Sequence, residues 1–265
     1  GKKKMSKKDV LTFIHEYLYV DSIAAEALYN YCKDQYDYIG MPSSKKLLIE
    51  HYRDEHMKNY VVFHALYGRR VNDVLSRAVA FAISRAQHKD VELGISDNGF
   101  YISYDRNVDV SKAFSLLKSK ELRKVLELAV DKSEILKRRF RHCAGRALMI
   151  LRTYGGIRKR VGRQQVSSMI LLNAVRRISE NFFILKETRR EVLEDLMDYD
   201  SALEVLQNIE EKKIKIEETH TFIPSPFALN LVMQGYSDII RLEDKQQFLQ
   251  RMHQMVKAKI ALKQR

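Results

Sequence analysis

Apolar residues along this chain follow two different spacings. Through most of the sequence they recur every three or four residues, which is typical of one face of a helix. This spacing predicts helices at residues 8–19, 109–118, 121–130, 134–151, 185–195, 201–211 and 243–262, and a helical turn at 227–233. Three further helices are expected to start at Asp21 or Ser22, after Gly68-Arg69-Arg70, and after Gln165.

Two of these helices carry a prediction about which side is buried. The helix capped by Asp21 or Ser22 is expected to turn five residues inward: Ala24, Ala25, Leu28, Tyr31 and Cys32. In the helix after Gln165 the inward positions are Val166, Ile170, Ala174, Val175 and Ile178. Arg176 and Arg177 are expected to face outward from that second helix.

Short segments with alternating apolar and polar residues are typical of strands. Strands are predicted at residues 47–52, 60–67, 91–96, 100–104, 214–219 and 239–242. The Asn-Gly pair in Asp97-Asn98-Gly99 favours a tight hairpin turn. Because the strands come mainly as hairpins, the predicted fold class is α+β. It is mainly helical, with antiparallel β-hairpins forming a small sheet or a barrel-like module in one compact unit.

Residues 134–165 hold much of the chain's positive charge. Ten Lys or Arg residues lie between Lys137 and Arg163, and no acid follows Glu134. Apolar residues form one stripe in the first half of the segment: Leu136, Phe140, Cys143, Ala144, Ala147, Ile150 and Leu151. Basic residues fall on the opposite side, and Tyr154-Gly155-Gly156 is predicted to end the helix. Such a helix can pack on a core while facing phosphates; alternatively, its charged face pairs with acids elsewhere.

The composition favours a polyanionic partner. Of 265 residues, 45% are hydrophobic and 31% charged, as in an ordinary soluble globular protein, and the formal net charge is +13. Nucleic acid is the first choice of partner, and an anionic membrane surface is the second. No apolar run approaches the length of a membrane span. Two distant cysteines, Cys32 and Cys143, favour a reducing compartment such as the cytoplasm.

Residues for catalysis or metal binding are not grouped in a recognised pattern. The sequence lacks a Gly-rich phosphate loop ending in Lys-Ser/Thr, and none of its eight histidines has metal-ligand spacing to Cys or acids. Asp195, Asp198 and Asp200 resemble a carboxylate cluster, but that spacing also arises where a helix ends in a solvated turn. We expect no metal, cofactor or catalytic residue in this chain.

Tyrosines accompany the basic residues and the predicted hairpins. On a strand surface such rings can stack exposed bases, whereas ordinary sheet tyrosines are half buried. Both interpretations apply to Tyr60, Tyr67, Tyr101, Tyr104 and Tyr154.

Six segments, taken in order, resemble one protein family. They read HALYGRRVNDVLSRA, DVELGISDNGF, RRFRHCAGRALMILR, VGRQQ, KETRREVLEDLMD and PSPFALNLVMQGYSD. From about Ile23 to about Met255 the chain resembles the C-terminal region, called DEAD/H-associated, of the Lhr (large helicase-related) superfamily 2 helicases. In that family two RecA-like motor domains and a winged helix precede this region. The motor uses ATP to move along single-stranded nucleic acid and to separate duplexes.

The resemblance implies a mixed domain of strands and helices that packs on the motor and winged-helix domains of the same helicase. It also implies that residues 21–265 form this accessory domain, after an N-terminal linker or helix at 1–20. Such a domain helps to line the path of the tracking strand, which is single-stranded DNA or RNA. ATP and Mg are expected only in the parent's motor domains, and no membrane is involved.

The residue pattern and the resemblance point to the same side chains for strand contact. They are Arg138, Arg141, His142, Arg146, Arg158, Lys159, Arg160, Arg163, Gln164 and Gln165. Arginine can hold phosphates through forked hydrogen bonds, and glutamine can contact sugars or base edges. Arg69, Arg70 and Asn72 form a second patch, where backbone N–H groups at a helix start favour an anion. Arg139 and Arg146 can equally hold an internal ion pair.

Two other functions are compatible with the same sequence. One is a docking module that braces the motor or recruits another protein without direct nucleic-acid contact. The acid-rich residues 187–204 would then serve charged partners. The other is an independent enzyme, such as a nuclease using Asp195, Asp198 and Asp200.

Overall fold

The structure is a computed structural model that describes residues 6–54, 57–105, 108–131, 133–151, 153–158, 160–236 and 242–263. Eleven α-helices lie within these residues. They are α1 (Lys7–Leu18), α2 (Ser22–Ile39), α3 (Arg69–Gln87), α4 (Val110–Leu116), α5 (Leu122–Asp131), α6 (Glu134–Arg146), α7 (Val161–Ile178), α8 (Phe183–Arg190), α9 (Tyr199–Glu210), α10 (Pro226–Tyr236) and α11 (Leu242–Lys263). A π-helical turn, Glu191–Leu196, continues α8. Each predicted helix corresponds to one of these elements, with differences at the ends.

The strands form one five-stranded open sheet and a separate short hairpin. The large sheet contains β1 (Lys46–Arg53), β2 (Asn59–His64), β3 (Glu92–Ser96), β4 (Gly99–Tyr104) and β7 (Lys215–Thr221), in the order β3-β4-β2-β1-β7. The short hairpin pairs β5 (Thr153–Tyr154) with β6 (Ile157–Arg158). The fold class α+β and the small sheet are confirmed.

The structure makes the predicted sheet more specific in two details. The sheet is mixed rather than antiparallel, because β7 pairs with β1 in parallel register. It is also open, with β3 and β7 at its edges, so a barrel-like module is not supported. Of the strand predicted at 239–242, residues 239–241 lie outside the described residues, and Leu242 begins α11.

The main hydrophobic core lies between one face of the sheet and the helices from α3 to α9. Alternate residues of β1, β2 and β4 face this core, and α3 packs across them. The rings of Phe63 and Phe100 stack there with centroids 4.4 Å apart, and Phe114 of α4 meets Phe63 edge-on. A smaller cluster on the opposite face joins Tyr60 and Tyr101 to α10. Tyr60 and Tyr101 are therefore buried sheet residues and not stacking platforms.

A buried carboxylate ties the segment after β7 to the sheet. Glu50 of β1 is fully buried. Its Oε1 accepts hydrogen bonds from the Ser225 backbone N–H and from the Thr221 hydroxyl, each at 2.8 Å. Its Oε2 accepts from the Ser225 hydroxyl at 2.6 Å and lies 2.9 Å from His64 Nε2. These contacts fix the start of α10 against the sheet.

The hairpin of β3 and β4 is held tightly to its surroundings. A Cβ atom at Gly99 would lie 2.3 Å from the carbonyl oxygen of Phe63, so only glycine fits there. The side-chain amide of Asn72 donates to the carbonyl oxygens of Ala65, Ser96 and Asp97 at 2.9–3.2 Å. The predicted hairpin is thereby confirmed and anchored to the start of α3.

The basic helix ends earlier than predicted. α6 stops at Arg146, and Leu148 has a left-handed backbone with φ of 57°. Gly155 and Gly156, expected to break the helix, instead form the turn of the β5–β6 hairpin with φ of 56° and 77°. Two successive residues with positive φ are what a tight hairpin turn requires.

Two predictions about buried helix faces are also wrong. In α2 only Ala25 of the apolar positions is buried, and Leu28, Tyr31 and Cys32 are exposed. Of the inward positions predicted for α7, Val175 is buried, whereas Val166, Ile170, Ala174 and Ile178 are exposed. Ser168 and Leu172 are buried instead. α7 has apolar residues on two sides, and packing against α6 selects the side with Leu172.

Candidate nucleic-acid interface

α6 has the two-sided character that the sequence predicts. Ser133 caps its start by accepting a hydrogen bond from the Leu136 backbone N–H at 3.3 Å. Four residues of the apolar stripe are fully or almost fully buried: Leu136, Phe140, Cys143 and Ala144. The stripe anchors α6 to α7 and α8. Arg138 and His142 lie on the exposed side, and Arg141 is partly exposed.

The arginines of α6 divide into two groups. Arg139 and Arg146 both contact the carboxylate of Glu191, which is only 3% exposed at the start of the π-helical turn. They join α6 to the segment after α8, so Arg146 occupies the internal ion pair that was its alternative role. Among the described residues, no acid lies within ion-pairing distance of Arg138 or Arg141. Glu134 interacts electrostatically with Arg138 from one turn away, but neither guanidinium group is held in a salt bridge, so the outer side of α6 stays positively charged.

The turn beyond α6 leads to a second basic position at the start of α7. Arg160 precedes the helix as its N-cap residue without a side-chain capping hydrogen bond. Arg163 and Gln165 are exposed in the first turn, and Gln164 is partly buried. Arg158 lies on β6, and Lys159 falls outside the described residues. Free backbone N–H groups and arginines meet at this helix start, as in many anion sites.

The two basic positions lie along one antiparallel helical hairpin. Arg176, near the end of α7, donates to the carboxylate of Asp131 at 3.1 Å, just before the start of α6. The end of α7 therefore lies beside the start of α6. Arg138 is eight residues, about 12 Å of helix, from the end of α6, where the chain turns toward Arg160. The structure thus places Arg138 and Arg141 on α6 and Arg160 and Arg163 at the start of the antiparallel α7.

The second predicted patch is largely committed to internal contacts. Asn72 is fully buried and donates to backbone carbonyls, so its amide cannot bind an anion at the surface. Arg70 Nη2 donates to the carbonyl oxygens of Glu194 and Met197, both at 2.9 Å, and thereby satisfies the end of the π-helical turn. Arg69 is exposed, and its backbone N–H donates to Asp97. Arg69 and Arg70 are both exposed, but the Arg70 guanidinium is already hydrogen-bonded to those carbonyl oxygens.

The acid-rich region serves as the partner of internal arginines. Arg190 donates hydrogen bonds to Glu187 at 2.8 Å and to Asp195 at 3.3 Å, and the bond to Glu187 raises the pKa of Arg190. Asp198 caps α9 by accepting from the Ser201 backbone N–H at 3.1 Å. Asp195 and Asp198 are thus engaged in an ion pair and a cap. Within the described parts of the chain, no group of three or more His, Cys, Asp or Glu residues is placed to hold a metal ion.

Sequence reasoning missed an exposed apolar face on α7. Val166 is 59% and Ile170 65% exposed, and Val161, Met169 and Ile178 are exposed as well. Spacing along a helix could reveal these positions, but it could not show that Leu172 and Val175 occupy the buried side. None of the helices in the described ranges is long and apolar enough to cross a membrane.

Comparison with known proteins identifies the class. The DEAD/H associated family profile matches residues 41–228, so the chain belongs to this family. The ATP-dependent helicase Lhr-Core of Methanothermobacter thermautotrophicus is 49% identical over 95% of this chain and 29% of that protein. The same-named protein of Sulfolobus acidocaldarius is 39% identical over 96% of this chain and 29% of its own length. The resemblance to the Lhr-type region is thereby confirmed.

More distant relatives show the same relationship. The Lhr helicase/uracil glycosylase of Escherichia coli is 30% identical over 74% of this chain and 13% of that protein. The solved structure of Mycobacterium smegmatis helicase Lhr bound to ssDNA and AMP-PNP matches with a TM-score of 0.77 and 27% identity. That match covers 86% of this chain and 29% of the solved chain. Our chain therefore spans less than a third of the length of these relatives.

Proposed function

We propose that this chain is a non-catalytic accessory domain of an Lhr-type ATP-dependent helicase that binds the single-stranded tracking strand. The strand would lie along the outer side of α6 and reach the start of α7. The observation that carries the proposal is the division of the arginines. Arg139 and Arg146 are paired internally, whereas Arg138, Arg141, Arg160 and Arg163 form no salt bridge among the described residues.

The electrostatics favour a phosphate backbone as the partner. Guanidinium groups spaced along a helical hairpin can each contact a different phosphate of an extended strand. Each phosphate that an arginine neutralises releases counterions, so the logarithm of the affinity falls linearly with the logarithm of the salt concentration. Binding of this type is tolerant of sequence, because the contacts carry no base information. The single-stranded DNA of the solved Mycobacterium smegmatis complex supports this choice of partner.

Fluorescence anisotropy of labelled single-stranded DNA and RNA tests the proposal. Both strands are titrated at three salt concentrations with the wild-type chain and with an Arg138→Ala/Arg141→Ala/Arg160→Ala variant. Losing three phosphate contacts should flatten the salt slope by about 2, since each contact on a single strand contributes about 0.7. Unchanged affinity and slope in the variant would overturn the proposal.

A matched control separates a binding surface from net charge. Lys118, Lys120 and Lys124 are exposed lysines outside α6 and α7. Replacing all three by alanine removes the same number of positive charges. We expect this control to retain nearly the wild-type salt slope. An equal loss in both variants would mean that the strand responds only to total charge.

We also propose that the motor and winged-helix domains of the parent helicase are the second partner. ATP and Mg would act in the motor domains and not in this chain. The exposed apolar face of α7, with Val166, Met169 and Ile170, favours such docking, because large exposed apolar patches usually mark protein interfaces. This face is also the specific support for a docking module without nucleic-acid contact.

Self-association of the separate chain tests the docking face. Sedimentation velocity should show concentration-dependent self-association of the wild-type chain, which Val166→Glu/Ile170→Glu abolishes while single-strand affinity stays the same. A wild-type chain that is monomeric at all concentrations would argue against the docking face. Loss of strand binding in the glutamate variant would mean that the docking face and the strand-binding surface are the same surface.

A further inference from the structure

An open cavity of about 480 Å³ lies at one end of the large sheet. The ends of β1, β4 and β7, the start of β2, and the residue after β7 supply its wall: His51, Arg53, Asn59, Tyr104, His220 and Phe222. β1 and β7 run in parallel, so their last residues meet at this end. The start of α3 and the adjoining Arg70 contacts lie at the other end, beside the β3–β4 turn. About 17 Å of strand separates the two ends. None of the residues that line the cavity belongs to α6 or α7, so the cavity is distinct from that helical hairpin.

Two histidines build a stacking surface in this cavity. His51 and His220 are directly opposite each other in the register of β1 and β7. Their rings are nearly parallel, at 11°, with centroids 4.5 Å apart. His220 belongs to the edge strand and is exposed. One face of its ring therefore rests on His51, and a third flat ring can continue the stack on the other face.

A phenylalanine next to this stack is unusually exposed. Phe222 is 84% exposed and lines the same cavity. The ammonium group of Lys259, from α11, lies 5.0 Å from the centre of its ring. An apolar ring held at the mouth of a cavity, with a cation beside it, is suited to a flat ligand that carries or adjoins a negative charge.

The polar groups of the cavity suit the edge of a base better than a phosphate. Arg53 Nε donates to Asn59 Oδ1 at 2.9 Å, which fixes both side chains at the rim. Burial lowers the pKa of His51, although its contact with Glu218 opposes this effect, so burial favours the uncharged ring. Asp54 adds a carboxylate to the wall. Balanced charge with several flat rings favours an uncharged planar group with polar edges.

We propose that this cavity binds a nucleobase, which stacks on His220 and Phe222 and receives hydrogen bonds from Arg53. The base comes either from a single strand that passes this end of the sheet or from a free nucleotide. Neither source depends on the arginines of α6 and α7. The cavity would therefore bind bases, whereas the arginines of α6 and α7 would bind phosphates.

The absence of tryptophan from the chain permits a direct optical test. Phe222→Trp places the sole tryptophan at the cavity mouth. Phe13→Trp, at another exposed position on α1, is the matched control. Each protein is titrated with a DNA dodecamer, with a dodecamer of abasic residues that keeps every phosphate, and with AMP. We expect the base-bearing dodecamer to quench Phe222→Trp strongly, and the abasic strand to leave the emission of both proteins unchanged.

Quenching by AMP as well would support the base site and assign it to free nucleotides. Equal quenching by abasic and base-bearing strands, or no quenching of Phe222→Trp by any probe, would overturn the inference. In anisotropy, His220→Ala/Phe222→Ala should weaken the base-bearing strand about tenfold, as expected for lost stacking, and leave the abasic strand unaffected. The Arg138→Ala/Arg141→Ala/Arg160→Ala variant should weaken both strands alike, so failure of one site is distinguishable from failure of the other.

Discussion

Replacing Glu50 tests how strongly its buried hydrogen-bond network holds the start of α10 against the sheet. Glu50→Ala removes a fully buried acceptor of hydrogen bonds from Ser225 and Thr221, and a neighbour of His64. The N–H and the hydroxyl of Ser225 would stay buried without their acceptor, and the partly buried Thr221 hydroxyl would lose its acceptor as well. Hydrogen bonds to a charged group contribute about 1.5–3 kcal/mol each but are not additive.

We therefore expect Glu50→Ala to lower the free energy of unfolding by about 3–5 kcal/mol, the range for breaking a buried charged network. Urea denaturation followed by circular dichroism measures this loss. Glu217→Ala is the matched control, because Glu217 lies on the neighbouring strand and forms a half-exposed pair with Lys46. Its loss should be under about 1 kcal/mol. If the two variants differ by less than about 1 kcal/mol, the network does not stabilise the fold as argued.

Three further predictions concern other parts of the molecule. Arg146→Ala should destabilise the chain by about 1–3 kcal/mol in urea without changing the salt slope of strand binding. Arg138→Ala should flatten the salt slope and leave the stability unchanged. The lowered pKa of His51 means that the unfolded chain binds a proton at this residue before the folded chain does, so stability falls as pH drops below the ordinary histidine value of 6.5. His51→Phe should reduce this loss of stability, as measured by thermal melts. Gly99→Ala should cost more than about 2 kcal/mol through its backbone clash, whereas Gly162→Ala, in open space on α7, should stabilise by about 0.5–1 kcal/mol in the same urea assay.

Local signals in the sequence account for the elements that were predicted correctly. Asp21 caps α2 by accepting from the Ala24 backbone N–H at 2.7 Å, and Asp109 caps α4 in the same way. The turn around Asn98 is signalled by the Asn-Gly pair itself and joins two strands that are adjacent in sequence. Each of these features has its cause within a few residues, so the sequence is sufficient to predict it.

Features that depend on distant partners were missed. The helical pattern of α7 has two apolar sides, and only the packing against α6 decides that Leu172 is buried and Ile170 is not. The parallel pairing of β7 follows from the position of β1, which no local pattern encodes. For the same reason Asn72 looked like a surface residue, although its amide is needed by carbonyl groups across a loop.

The candidate interface was half predictable. A cluster of basic residues without interleaved acids indicates a cationic surface, but it cannot show which arginines are neutralised through space. Glu191 lies 45 positions after Arg146 and still contacts it. Arg138 and Arg141 stay predicted strand contacts, because both are at least partly exposed and form no salt bridge among the described residues.

The parallel pairing of β1 with β7 also sets the order in which the chain is able to fold. Lys46 pairs with Lys215, 169 positions later. At about 5–20 residues per second, a ribosome needs roughly 10 to 30 s to synthesise the intervening chain. Throughout that interval β1 is an unprotected edge, and Glu50 lacks the Ser225 and Thr221 groups that will satisfy it. Nascent chains of this protein are therefore exposed to edge-to-edge association until β7 closes the sheet.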